Sequence, residues 1–144
     1  MPKVLISDKL SESAVNVFKE NKIETEYMPG LNHDELLKLI EKFDGLAVRS
    51  ATKVNEDIFK NAKNLKIVGR AGIGTDNIDK VAATKHGVVV MNTPYGNAVT
   101  TAEHTIALIM SLVRMIPQAD RSTRQGKWEK SKFNGTEISG KYLG

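Results

Sequence analysis

Short apolar runs alternate with helical patterns about once every 20 residues through the first 97 positions, and no other feature constrains the fold as strongly. The runs are Lys3–Ser7, Ile23–Tyr27, Asp44–Ser50, Leu65–Val68 and Val88–Met91. Between them lie patterns that predict helices. Ser11–Glu20 carries Ala14, Val15, Val17 and Phe18 at near-helical spacing. Asn32 caps a second pattern, whose buried face is Leu36, Leu37, Leu39, Ile40 and Phe43. A short pattern starts at Asn55 with Ile58 and Phe59, and a fourth runs from Asp76 to His86 and stops at Gly87. A crossover of this length brings the next strand back parallel to the last. The chain therefore predicts an α/β fold, a parallel five-stranded sheet with helices on both faces. Ligands in such sheets bind beyond the carboxyl ends of the strands, so Arg49–Ser50, Gly72–Asn77 and Asn92–Asn97 converge on one edge.

Beyond residue 97 the pattern changes. Thr100-Thr101-Ala102-Glu103 has the form of a capping box and predicts the start of the longest helix. From Ile106 to Ile116 only Ser111 and Arg114 interrupt the apolar residues, so this helix has no polar face and needs cover from another domain or subunit. Pro117 ends or kinks it. Gln118–Gly135 is polar, basic and without clear period, and its Trp128 and Phe133 are candidate anchors into a partner. Gly140-Lys141-Tyr142-Leu143-Gly144 reads as the start of a further strand.

Charge follows the same division. The net charge is +4 over 144 residues. Residues 114–144 hold seven basic side chains against three acidic ones, while residues 1–113 balance at 14 and 14. A basic arm on a neutral body suits an anionic partner or a solvated surface, and seven charges are few for a nucleic-acid binder. With no cysteine, disulfides and thiol catalysis are excluded. No apolar run reaches the ~20 residues of a membrane span, and the N-terminus lacks a signal-peptide pattern, so the expectation is a cytoplasmic location with no membrane partner.

Several residues invite a chemical reading. Gly72-Ile73-Gly74-Thr75-Asp76-Asn77 holds two glycines of G-x-G-x-x-G, with Asn77 in the third position. That spacing fits a small-anion turn or a structural turn ahead of a dinucleotide fingerprint. Arg49 and Arg70 each follow a strand, where a guanidinium can clamp a carboxylate or phosphate or can pair with Asp44, Asp76 or Asp79. His33 and His86 sit at helix ends as solvated residues, and His104 cannot face its helix neighbour Glu103. No spacing supports a metal site.

Together the segments K-V-L-I-S-D at 3–8, V-R-S-A-T-K-V at 48–54, V-G-R-A-G-I-G-T-D-N-I-D at 68–79 and M-N-T-P-Y-G-N at 91–97 resemble the D-isomer-specific 2-hydroxyacid dehydrogenases. A-E-H-T at 102–105, I-P-Q-A at 116–119 and G-K-W-E at 126–129 continue the likeness in family order. The resemblance implies a flavodoxin-like substrate domain over 1–97, a hinge helix and basic dimerisation arm over 98–139, and the start of an NAD-binding Rossmann domain at 140–144. It implies hydride transfer between NAD and the C2 carbon of a small anionic 2-hydroxy acid, here 3-phosphoglycerate in serine synthesis, by a homodimer joined through 98–139. Carried over residue by residue, Arg49, Ser50, Ile73, Gly74 and Asn97 would hold substrate, with Arg70 nearby. Ile73 and Thr101 would lie by the nicotinamide. Lys127, Lys130 and Lys132 resemble basic residues that a neighbouring subunit offers to the substrate phosphate. The family's G-x-G-x-x-G, its ribose-binding acid and its catalytic Arg, Glu and His have no counterpart in these 144 residues. No residue here is therefore expected to be catalytic, and the chain alone is expected to be inactive. The alternatives are another member, such as a hydroxypyruvate or glyoxylate reductase, and a non-catalytic anion-binding or dimerisation module.

Overall fold

Four side-chain caps decide where the helices of the first half begin. Ser11 accepts from Ala14 N, Asn32 forms a capping box with Glu35, Asn55 accepts from Ile58 N, and Asp79 accepts from Ala82 N. Each cap satisfies an amide that the first helical turn leaves without a partner. The computed structural model describes residues 1–144, which divide into two units, Met1–Asn97 and Ala98–Gly144.

The first unit runs β1 (Lys3–Ile6), α1 (Glu12–Glu20), β2 (Glu24–Tyr27), α2 (His33–Leu39), β3 (Gly45–Val48), α3 (Glu56–Asn61), β4 (Ile67–Arg70), α4 (Lys80–Lys85) and β5 (Val89–Asn92). All four strand pairings are parallel, in the order β2-β1-β3-β4-β5. This is the flavodoxin-like doubly wound order, with its switch point between β1 and β3.

Alternation along the strands separates the two faces. Leu5, Leu46, Val48 and Val68 turn toward α2, α3 and α4 and join Leu36, Ile40, Phe43, Ile58, Phe59 and Ala83 in one core. On the other face Val4, Ala47, Ile67, Gly69 and Met91 line an apolar cleft with Ala14 and Phe18 of α1. Helix α1 buries no residue fully, and Val89 and Met91 of β5 stay more than half exposed on the uncovered side.

Two boundaries differ from the sequence-based expectation. Gly69 and Arg70 belong to β4 rather than to the glycine turn. A central strand is held from both sides, and Gly69 pairs with Ala47 and Met91, Arg70 with Val48 and Asn92. Helix α4 starts after Asp79, not at the Asp76-Asn77 pair. Asp76 and Asn77 lie in a turn closed by Ile78 N donating to Thr75 O at 3.0 Å, the Val54–Ile78 bridge follows, and Asp79 supplies the cap.

The second unit holds α5 (Ala98–Val113) and α6 (Ile116–Arg124), which meet at a 63° bend. Helix α5 begins directly after the turn at 94–97, so Thr100–Glu103 lies inside the helix and forms no cap. Met115 breaks the helix in a left-handed conformation. Pro117 then sits in the first turn of α6, where its missing N–H costs nothing. That α6 forms within the arm is a correction. Its inward positions are small, Ala119 and buried Ser122, and so give no apolar period. Gly140–Gly144 forms no strand, having no neighbour to pair with. No single helix is long and apolar enough to cross a membrane.

Candidate functional site

Five loops leave the carboxyl ends of the strands in the first unit, and a small set of polar side chains ties those after β1, β3, β4 and β5 together. The loop after β3, Arg49–Asn55, is held from two sides. Below it lies Asp8, the residue that ends the apolar run of β1 and is only 4% exposed. Its Oδ2 accepts from Arg49 N at 2.6 Å and Thr52 N at 3.2 Å, and its Oδ1 accepts from the Thr52 hydroxyl at 2.9 Å. Ser7 and Thr52 hydroxyls lie 3.0 Å apart and complete the buried cluster. On the other side Asn77 Nδ2 donates to Arg49 O at 2.8 Å and to Thr52 O at 2.7 Å.

The turn after β4 is pinned as firmly. Asn92 Nδ2 donates to Ile73 O at 2.8 Å, and Thr93 N donates to Gly72 O at 3.0 Å. Arg70 Nη1 donates to Gly74 O and stands 3.8 Å from Asp76. The amides of Ile73 and Gly74 are left donating to no protein group. Neighbouring free N–H groups of this kind form an anion-binding concavity. A Cβ at Gly74 would stand 2.6 Å from Asp76 Oδ1 and 2.9 Å from Arg70 Nη1, so both side-chain ends would have to shift to admit one.

Arg49 sits at the switch point and lines two clefts. One, of about 380 Å³, is shared with Asp8, Lys9, Pro29, Gly30, Ser50 and Ala51. The other, also about 380 Å³, is shared with Leu10, Ser11, Ala14, Ala71, Gly72, Thr93, Gly96 and Asn97. Arg49, Gly72 and Asn97, which came from three separate loops of the sequence, thus border one cleft. Arg49 makes no ion pair, and its exposed guanidinium leaves its donors available to a small anion. Ser50 is exposed beside it, and Ile73 is 44% exposed on the turn.

Arg70 takes the other of its two readings. Its side chain is 13% exposed, turned onto Gly74 and Asp76, and borders the apolar cleft on the sheet face rather than the cleft of Arg49. It braces the glycine turn. Asp44 is engaged elsewhere: the Lys66 ammonium, then the Lys3 amide, hold its carboxyl below the usual aspartate range.

The remaining candidates lie in the second unit. Thr101 is exposed on α5. Lys127 and Lys130 are exposed, and Lys132 is 2.6 Å from Glu129, whose Oε2 accepts from Ser122 at 3.0 Å. Lys132, then Ser122, hold the Glu129 carboxyl below its ordinary range. Trp128 is 84% exposed, and α5 presents Ile106, Leu108 and Leu112, each more than half exposed.

Asp8, Thr52 and Asn77 are the residues that motif reading passed over. One signal was available: an aspartate closing an otherwise apolar strand at the switch point is a buried charge in need of donors. Residues for a dinucleotide's phosphates do not fit here. The glycine turn runs into the Val54–Ile78 bridge and not into a helix, so no row of helix-start amides faces a pyrophosphate.

Comparison with known proteins gives a consistent answer. Residues 4–138 match the family pattern described as D-isomer specific 2-hydroxyacid dehydrogenase, catalytic domain. A D-3-phosphoglycerate dehydrogenase of Archaeoglobus fulgidus is 49% identical over 142 residues, 99% of this chain and 27% of the relative. A solved Pyrococcus horikoshii structure superposes with a TM-score of 0.85 at 32% identity, covering 95% of this chain and 42% of the other. An NAD+-bound 3-phosphoglycerate dehydrogenase of Entamoeba histolytica gives a TM-score of 0.69 at 30% identity, over 78% of this chain and 39% of that one. The chain spans 27% of the curated relative's length.

Proposed function

Because the chain belongs to the D-isomer specific 2-hydroxyacid dehydrogenases, we propose that its 144 residues form the substrate-side portion of an NAD-dependent oxidoreductase acting on 3-phosphoglycerate. The observation that carries this reading is Arg49. It is an unpaired guanidinium at the switch point of a flavodoxin-like sheet, bordering a cleft with Gly72 and Asn97. Arg49 and Ser50 hold the anionic substrate from one side. The Ile73 and Gly74 amides hold it from the other, with Asn97 closing the rim and Arg70 bracing the turn. When bound, NAD supplies the hydride acceptor for C2 of the hydroxy acid. This chain's part is to orient that carbon, with Ile73 and Thr101 bordering the nicotinamide.

The acid–base residues lie, on this reading, in the stretch of such enzymes that the chain does not span. The 144 residues alone then bind NAD weakly and do not turn over. The exposed apolar side of α5 and the arm over 98–139 form a homodimer interface. Lys127, Lys130 and Lys132 reach toward the phosphate bound by the neighbouring subunit. Serine biosynthesis in the cytoplasm is the setting that this substrate implies.

The test is direct binding of 3-phosphoglycerate to the chain by calorimetry, with glycerate and inorganic phosphate as competitors. Arg49→Ala removes charge-assisted hydrogen bonds worth about 1.5–3 kcal/mol, so affinity is expected to fall about 10- to 100-fold. Unchanged affinity in that variant would sink the assignment. NADH formation by the chain alone would show the acid–base residues to lie within it.

A further inference from the structure

Asn77 stands where a G-x-G-x-x-G fingerprint would carry its last glycine, and its side chain spans 28 residues of sequence to Arg49 and 25 to Thr52. Both of its amide hydrogens are committed, at 2.8 Å to Arg49 O and 2.7 Å to Thr52 O. Two carbonyl acceptors settle the orientation of the amide, because the reversed rotamer would set its oxygen against both. The main chain of the same residue accepts from Val54 N at 2.8 Å, and the Val54–Ile78 bridge follows. Asn77 thus joins the loop that carries Arg49 and Ser50 to the turn that carries the free Ile73 and Gly74 amides.

The chemistry at this position is specific to an amide. An aspartate has the same shape but would face two carbonyl oxygens with a carboxylate, while a glycine or alanine leaves both carbonyls without their donor. Asn77 Oδ1 is buried with no hydrogen-bond partner, so the residue keeps one polar atom unsatisfied while its nitrogen serves two. Asp8 governs the other side of the loop through the N–H groups of Arg49 and Thr52. Only Asn77 links that loop through a side chain to the glycine turn, whose Gly72 borders the Arg49 cleft.

We propose that Asn77 is a positioning residue for the anionic substrate. Its side-chain amide fixes the spacing between the Arg49–Ser50 loop and the Ile73–Gly74 turn, so that one small anion meets both. This inference rests on the reading of Arg49 as a substrate-holding group. Losing the fixed spacing costs the anion the hydrogen bonds of one side, each charge-assisted bond being worth about 10-fold or more in affinity.

The experiment is titration of the 144-residue chain with 3-phosphoglycerate, followed by the backbone amide NMR signals of Ser50, Ile73 and Gly74. Variants are Asn77→Ala, Asn77→Asp, Asn77→Ser, Arg49→Ala and the Arg49→Ala/Asn77→Ala pair. Asn77→Ala and Asn77→Asp are expected to weaken binding about 10- to 100-fold, with Asn77→Ser, which keeps one donor, in between. The pair is expected to lose clearly less than the product of the two single losses, because without Arg49 only Ser50 is left on that loop to position. A purely structural role predicts multiplied losses instead, and that result overturns the proposal. So does unchanged affinity in Asn77→Ala. If Asn77→Ala and Asn77→Asp fail to fold, Asn77→Ser decides, and wild-type affinity there overturns it. If Arg49→Ala itself binds like wild type, the reading of Arg49 fails first and this inference fails with it.

Discussion

Replacing Asp8 by alanine and by asparagine separates what its carboxylate does for the fold from what its bulk does. Asp8 is 4% exposed and serves three donors, Arg49 N, Thr52 N and the Thr52 hydroxyl. In Asp8→Ala the Thr52 hydroxyl keeps its Ser7 neighbour at 3.0 Å, but the two amides lose their acceptor. Each unmet amide costs about 1–3 kcal/mol, and Arg49 N recovers part of this because it is only partly buried. The expected loss is therefore about 3–4 kcal/mol, a large share of the roughly 5–15 kcal/mol that stabilises a domain. In Asp8→Asn the side-chain oxygen still accepts from both amides, and the new NH2 donates to the Thr52 oxygen, which keeps its own proton for Ser7. That variant is expected to lose about 1 kcal/mol. Urea unfolding followed by circular dichroism reads both. At a typical slope of about 1.5–2 kcal/mol per molar urea, Asp8→Ala moves the midpoint by about 2 M with the slope unchanged. Equal losses in the two variants would refute the reasoning, since it assigns the cost to unmet amides that asparagine satisfies.

Two further outcomes are expected in the second unit. Gly135→Ala puts a Cβ 2.5 Å from Val113 O and 3.0 Å from Arg114 Cα at a φ of +62°, so the Thr136 N–Val113 O hydrogen bond of 2.7 Å should open. Hydrogen exchange at Thr136 is then expected to speed up about 10-fold or more with the β-sheet amides unaffected; retained protection at Thr136 contradicts it. Leu112→Glu changes a side chain that is 74% exposed, so the helix should survive while self-association through α5 is lost. An unchanged sedimentation coefficient for a dimeric wild type would show that α5 is not the interface.

The elements of the first unit were legible because the signals that specify them are local. Ser11, Asn32 and Asn55 cap the helices that their positions predict, and the five apolar runs form the five strands. The same local reasoning failed at Asp76-Asn77 and at Thr100–Glu103. A capping signal there competes with a contact made far away in sequence in the first case, and with an upstream helix start in the second. Arg49 could be singled out as the end residue of a strand, but whether Arg70 would face an anion or a neighbour depended on how the glycine turn folded. It folded with Gly74 O against the guanidinium. Asp8 and Asn77 escaped motif reading because their partners lie 25 to 44 residues away, and no spacing rule spans that distance.

The third position of the would-be fingerprint explains why this turn does not take the shape of a dinucleotide-binding loop. In a dinucleotide fold the last glycine lets a helix pack closely on its strand just after the turn, and the helix start faces the pyrophosphate. Here the chain turns at Asp76-Asn77, bridges to Val54 at Ile78 and starts its helix only after Asp79, so close packing at position 77 has no use and a side chain is admitted. Asparagine is the side chain whose two donors match the two carbonyls that the Arg49–Thr52 loop turns inward. At Gly72 a Cβ would meet the Arg70 side chain only at 3.6 Å and at Gly74 only the side-chain ends of Asp76 and Arg70, and the Ile73 and Gly74 amides stay free. What looks like a defective cofactor loop thus supplies Gly72 to the wall of a cleft that Arg49 also borders. The residue that spoils the fingerprint is the one whose side chain ties this turn to the Arg49 loop.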